Sequence, residues 1–412
     1  MRLRAAAAME WLVYGSIALL PLACWPNLDH PFESPKLWLL AVVNVALVAR
    51  YLLARPKLDR PSGTSDWLWL AWLAAIAVSA LAAPYVSLGA MLLLAAPIAL
   101  SFALERGMIS RERVCRAILA GSSAMCAVAV LQYAGADPLR WLGWEPESFS
   151  SLRMRVYGTL GNPNFVAAWC AGVLPLAVTR AAMRRSGGRR AAFVSWGVAA
   201  LHLGAILATG SRVLLLAIPV AIAAMAVSRG AKLSRWWLAA AGLVLLAAVW
   251  LSPGRPLGVV LDGRLYLARV AWSGWRNIPV VGHGPGSFEV QLAKQQTAWL
   301  RAHPGEGTAF AGAVDHAHND YLEMLIELGP LGLGTFVALA GVFIWRARRA
   351  PDDAVVLGAL GGAAALAAVA LADFPFHRPA EWTLLLTLLG VAGQSKISQS
   401  SFNGIIGGNK SS

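Results

Sequence analysis

The chain has 412 residues, of which 58% are hydrophobic and only 14% charged, with a mean hydropathy of +0.59. Soluble domains carry about 25% charged residues, so an ordinary soluble fold is excluded. The formal charge of +14 would suit a nucleic-acid binder, but the Arg and Lys are scattered through short loops between apolar blocks. No nucleic-acid partner is expected from that distribution.

The apolar blocks have the length needed to cross a hydrocarbon core of about 30 Å. They are continuous and do not alternate, which indicates helices and not a barrel. In chain order the expected spans are 9–25, 36–54, 67–83, 86–104, 114–134, 164–180, 191–209, 213–228, 236–251, 326–345, 354–372 and 380–393. Basic clusters follow every second span: Arg2/Arg4, Arg50/Arg55/Lys57/Arg60, Arg106/Arg111/Arg113/Arg116, Arg180/Arg184/Arg185/Arg189/Arg190, Arg229/Lys232/Arg235 and Arg346/Arg348/Arg349. By the positive-inside rule these loops, and both termini, face the cytoplasm. The first span shows no small-residue cleavage site and reads as retained. Cys24, Cys115, Cys126 and Cys170 lie in or beside apolar spans without metal-like spacing, as buried free thiols do.

The expected fold class is therefore an all-α polytopic membrane protein of about twelve transmembrane helices. Residues 1–251 would hold spans one to nine, residues 252–325 one large helical loop domain on the outer face, and residues 326–393 spans ten to twelve. A polar tail, 394–412, is expected to be disordered.

The outer face carries arginines that charge bias does not call for: Arg153, Arg155, Arg212, Arg264, Arg269, Arg276 and Arg378. Arg212 follows Thr209-Gly210-Ser211 between two apolar runs; it either snorkels to the interface or binds an anion. The guanidinium fork matches phosphate geometry, so a diphosphate is the natural ligand. Within the loop, residues 262–276 read as an amphipathic helix with Leu265, Ala268, Trp272 and Trp275 on one face. Arg264 would lie near its N-terminus, where the dipole favours an anion. The run Gly282-His283-Gly284-Pro285-Gly286 lacks the Lys-Ser/Thr ending of a phosphate loop and reads as a tight turn before a helix beginning near Phe288.

Densest in chemistry is His316-Ala317-His318-Asn319-Asp320-Tyr321-Leu322-Glu323. Ionisable groups near membrane depth are costly and default to function. Two histidines spaced i, i+2 do not share a helix face, so a two-His zinc grip is not expected. A neutral imidazole flanked by Asp and Asn suits a general base for a hydroxyl, while Asn319 or Asp320 can cap the following helix.

Taken in order, Gly161-Asn162-Pro163-Asn164-Phe165, Thr209-Gly210-Ser211-Arg212, Gly263-Arg264, Gly282-x-Gly-x-Gly286-x-Phe288, His316-x-His318-Asn319-x-Tyr321-Leu322 and Glu327-Leu328-Gly329-x-x-Gly332 resemble the O-antigen ligase and polymerase superfamily. The resemblance covers about residues 158–339 by motif and the whole chain by topology. It implies a GT-C-like glycosyltransferase of the bacterial inner membrane, with its outer face in the periplasm. Such an enzyme moves a glycan from an undecaprenyl diphosphate carrier to an acceptor, without a metal or other cofactor and with inversion at the anomeric carbon. For a ligase the acceptor is the lipid A–core sugar; for a polymerase it is another carrier-linked repeat; for further relatives it is a pilin hydroxyl. Carried over by motif, Arg212 and Arg264 would stabilise the diphosphate leaving group and His318 would activate the acceptor hydroxyl. Arg155, Arg269, His316, Asn319, Tyr321 and His377 would contact substrate, with His316 still open as an alternative base. An unrelated possibility, a transporter of an anionic lipid or solute, would also use outward arginines but would show internal symmetry.

Overall fold

The computed structural model describes residues 2–54, 64–144, 156–183, 188–212, 214–230, 257–274, 277–305, 307, 309–350 and 352–394. The expected span at 236–251, Arg153, Arg155, Arg276, Trp275 and nearly all of the C-terminal tail lie outside these residues. Among the described residues the secondary structure is helical throughout, without a strand. The helices are α1 (Arg2–Leu19), α2 (Ser34–Ala54), α3 (Thr64–Ala82), α4 (Leu88–Ala95), α5 (Ile98–Glu105), α6 (Arg111–Tyr133), α7 (Pro163–Met183), α8 (Gly188–Thr209), α9 (Leu214–Ser228), α10 (Leu257–Ser273), α11 (Phe288–Ala302), α12 (Asp320–Ala347), α13 (Ala354–Val369) and α14 (Pro379–Gly393).

Seven stretches among the described residues are long and apolar enough to cross a membrane: α2, α3, α4 with α5, α6, α7, α8 and α12. The expected count was about twelve. The last two expected spans form helices of only 16 and 15 residues, α13 and α14, short of the roughly 20 that a bilayer requires. Every residue of α14 is buried, so it is a central helix packed against α5, α13, α12 and α7. Helices α2 and α8, by contrast, keep most of their apolar surface outside, including Val45, Leu52, Phe193 and Trp196. Such a belt of exposed apolar side chains needs lipid as its solvent.

Small residues set the closest packing. Helix α13 presents Gly358, Gly361 and Gly362 to α7; a methyl group at Gly362 would stand 2.0 Å from the Gly172 carbonyl, and one at Gly358 2.6 Å from the Leu176 Cα. Membrane helices associate through such small-residue contacts because lipid supplies no hydrophobic drive between them.

The ends of the bundle differ in chemistry. At one end the basic loops are neutralised by acidic partners: Arg50 with Glu10, Arg106 with Asp66, Arg111 with Asp353, Arg180 with Glu112 and Arg346 with Glu105. Loops from across the chain are joined at the other end. Lys36 is buried and its ammonium donates to the carbonyls of Ala23, Phe32 and Thr159. Arg378 donates to the Leu160 carbonyl, and the Ser87 amide donates to Pro285.

On this second end lies a small separate core formed by Tyr266, Leu267, Val270 and Ala271 of α10, Phe288 and Leu292 of α11, and Ala317 and Ile326. Leu265 and Trp272, on the face expected to lie at the membrane interface, remain exposed, while the opposite face of α10 supplies this core. The small core takes in Ile326, which the sequence assigned to a span. The physical boundary is Gly329, whose φ of 69° and ψ of −177° break α12. Only glycine adopts that conformation readily, and Pro330 then starts the helix anew. The turn at 280–284 fastens onto the break: His283 and Gly284 donate to the carbonyls of Ile326 and Glu327, and Leu331 donates to Val280. Gly282 and Gly329 abut so closely that a Cβ on either would lie 2.2–2.5 Å from the other's backbone neighbours.

Candidate functional site

The chemistry-bearing residues meet where α10, the start of α12 and the turn between α13 and α14 converge. Asn319 caps α12 by accepting from the Leu322 amide at 3.0 Å, and its own amide donates to the Leu371 carbonyl at 3.3 Å. The cap predicted from sequence is therefore present, and it also ties α12 to the end of α13. His318 precedes the cap with φ of 51°, the one non-glycine positive φ among the described residues. That conformation is costly for a residue with a Cβ; two neighbouring anchors hold it.

Each histidine of the cluster has a carboxylate partner. His318 Nδ1 lies 3.4 Å from Asp373 Oδ1, His316 Nδ1 lies 2.7 Å from Glu323 Oε1, and His377 Nδ1 lies 2.6 Å from Asp320 Oδ1. Phe374 separates the first two, stacking on His316 and meeting His318 edge-on. The imidazole of His318 is more than a third exposed, so with Nδ1 turned to Asp373 the other nitrogen is open to an incoming hydroxyl. Asp373 is buried; its Oδ2 has no hydrogen-bond partner among the described residues. Its charge also acts on Arg264: burial lowers the pKa of that guanidinium and Asp373 opposes the effect.

Sequence and structure differ at several of the expected residues. Arg264 is the eighth residue of α10, not part of its first turn, so the helix dipole does not contribute as expected; Asp373 takes its place as the electrostatic neighbour. Arg269 is exposed and sits about 140° around the helix from Arg264, at 100° per residue. His377, expected on the acceptor side, is 5% exposed at its side chain and surrounded by carboxylates, with Nε2 3.4 Å from Glu327 and 3.6 Å from Glu323. Burial alone would depress its pKa, but Glu323, Asp320 and Glu327 together raise it well above the ordinary value. His377 is thus a charged tie beneath the site. Tyr321 donates to the Ala367 carbonyl at 2.8 Å and faces an apolar cavity described below.

Arg212 stands just past the end of α8, beside the start of α7. It follows Ser211, whose hydroxyl donates to Asn164 at 2.8 Å, and the adjacent Phe165 meets Phe374 with ring centres 5.6 Å apart. The Asn164-Phe165 and Ser211-Arg212 motifs are thus neighbours in space and reach the histidines through Phe374. Arg155 lies outside the described residues. Asp373 is the residue that motif reading passed over; it stands two residues before Pro375, in the segment that supplied His377 and Arg378.

His316, Glu323 and His377 offer ligand atoms within 4.8 Å of one another, the one group among the described residues that could hold a metal ion. The i, i+2 spacing of His316 and His318 did not foresee this set, which uses a histidine from a distant turn. The Glu323 carboxylate accepts from His316 and from the Ala317 amide at 2.9 Å, and together with His377 the group forms a buried network of hydrogen bonds and ion pairs.

A cavity of about 570 Å³ runs between α9, α12, α13 and α14, with Tyr321 and Phe336 toward the site and Arg348 at the far end. Its walls are alanine, valine, leucine, isoleucine and Gly341 apart from those end groups.

With this geometry in place, comparison with known proteins gives one result: residues 197–337 match the O-antigen ligase family. That segment spans Arg212, Arg264, the glycine turn and the histidine cluster. No curated protein matches the chain.

Proposed function

Given an O-antigen ligase domain over residues 197–337, in a family of multi-pass membrane glycosyltransferases, we propose that this chain is a ligase. It would transfer a glycan from undecaprenyl diphosphate to a lipid A–core sugar at the periplasmic face of the inner membrane. The observation that carries the reading is the buried carboxylate of Asp373, 3.4 Å from the His318 imidazole and the electrostatic neighbour of Arg264. One carboxylate would thereby orient the base and oppose the cost of burying a cation beside it.

In the proposed step, Nε2 of His318 takes the acceptor hydroxyl proton as the oxygen attacks the anomeric carbon. The bond from that carbon to the diphosphate oxygen breaks, and the electron pair leaves with undecaprenyl diphosphate. Arg212 and Arg264 receive the developing charge, which removes the need for a divalent cation. Attack from the face opposite the diphosphate inverts the anomeric centre. A positioned base contributes about 10²–10⁴-fold to such a reaction. The apolar cavity between α9 and α14 would accommodate the isoprenoid, leading it from the bilayer to the site beside Tyr321.

The test is transfer of glycan by the purified protein in lipid. His318→Ala and Arg264→Ala are expected to lose transfer by at least about 10²-fold while remaining folded, and activity should persist in EDTA. Normal transfer by His318→Ala would overturn its assignment, and loss in EDTA restored by Mg²⁺ would overturn the metal-free mechanism. A strain lacking the chain should accumulate long polymer on the lipid carrier; single repeats there would instead identify a polymerase.

A further inference from the structure

A second cavity, of about 430 Å³, opens beside the histidines and is lined by residues from three distant segments. Asp29 and Glu33 come from the loop between α1 and α2, Leu160 and Phe165 from the turn into α7, and Asp315, His316, Phe374 and Arg378 from the site itself. The volume is in the range of small-molecule sites.

The lining has two properties. Three carboxylates, Asp29, Glu33 and Asp315, face one guanidinium, Arg378, and two imidazoles, His30 and His316, so with the imidazoles neutral the cavity is acidic. Arg378 itself is nine-tenths buried and lies over the Phe165 ring. Its Nε has no hydrogen-bond partner among the described residues, although Glu381 lies 3.4 Å away, and Nη1 reaches Glu33 only at 4.0 Å. Nε is sealed against Glu381 and Nη2 donates to the Leu160 carbonyl, so the donor left toward the cavity is Nη1. The remaining aromatic of the lining is Phe32, and an aromatic side chain beside carboxylates and a guanidinium suits a pyranose: its C–H groups pack on the ring, and its hydroxyls donate to the carboxylates and accept from the arginine. A diphosphate would be repelled from here and drawn to Arg212 and Arg264.

We propose that this cavity binds the sugar of the acceptor that bears the attacking hydroxyl, and that its acidic lining selects a neutral or amino sugar and rejects one bearing phosphate or carboxylate. This rests on the ligase reading above and assigns its acceptor class. The site is then bipolar, with a cationic donor half and an acidic acceptor half meeting at the histidines.

The test is direct binding, by saturation-transfer NMR on the full chain in lipid nanodiscs, of four probes: methyl glucoside, glucosamine, glucuronate and glucose 6-phosphate. The first two should bind saturably and the last two at least tenfold more weakly. Asp29 and Asp315 are both exposed, so the double variant Asp29→Asn/Asp315→Asn should fold and should lose the preference for glucosamine over glucuronate. Saturable binding of the anionic sugars as tight as that of the neutral one, no binding of any probe, or an unchanged preference in the double variant would each overturn the proposal. The assay needs neither donor nor transfer, so its failure is distinct from failure of the ligase reading, which the transfer assay reports.

Discussion

His318 keeps a left-handed backbone that costs about 1–3 kcal/mol for a residue with a side chain, and it does so because Asn319 caps α12 and Asp373 meets the imidazole. The strain and the two anchors together aim one ring. Asp373→Asn should therefore lower the turnover rate by about 10²-fold or more with little change in donor binding, measured as initial rates and carrier affinity on the same preparation. His377 carries a separate prediction. Its pKa is raised in the folded protein by Glu323, Asp320 and Glu327, so its contribution to stability is complete below the unfolded value of about 6.5. The contribution is lost as pH rises toward the higher folded value. Thermal stability in detergent should fall from neutral to alkaline pH, and His377→Gln should flatten that slope. At this scale the cluster of ionisable side chains around His316 and His318 and the Asn319 cap were legible from residue type and neighbourhood. Asp373 and the burial of His377 were not, because both depend on closure of the α13–α14 turn onto the start of α12, a long-range pairing that no local period encodes.

At the scale of elements the decisive feature is the break at Gly329. A methyl group there would meet the Val280 carbonyl at 2.3 Å and the Gly282 nitrogen at 2.5 Å, in addition to the backbone cost of the conformation. Gly329→Ala should reduce the yield of folded, monodisperse protein sharply, read by fluorescence-detected size exclusion. Gly334→Ala, four residues beyond the Pro330 restart and with open space around it, should be tolerated. The glycine run at 282–286 was legible as a turn leading into a helix, and α11 does begin at Phe288. Its partner was not, since the turn closes on backbone atoms of α12 and backbone atoms leave no sequence signature. Helix α10 shows a related limit: its apolar residues occupy two faces, and only the small core of Phe288, Leu292 and Ile326 decides that Tyr266 and Val270 point inward.

For the whole molecule, hydropathy and basic loops were enough to read a helical membrane bundle with chemically different ends. The order of packing was not readable, because α13 and α14 are apolar all round and nothing in such a sequence says which neighbours they take. The apolar cavity they form with α9 and α12 yields a prediction at this scale. Ala364→Trp, placed in its wall, should raise KM for a long-chain isoprenoid donor several-fold more than for a short-chain analogue, in transfer assays with both. The break at Gly329 has one more consequence. Between Pro330 and Ala347 the helix rises about 27 Å at 1.5 Å per residue, close to the thickness of a hydrocarbon core, whereas the unbroken 28-residue helix would overshoot it. On the ligase reading, the break would act as a depth gauge that holds the His318 imidazole at the bilayer surface. Hydrophobic mismatch would be felt directly at the chemistry, so transfer should peak in bilayers of one acyl-chain length and fall on either side.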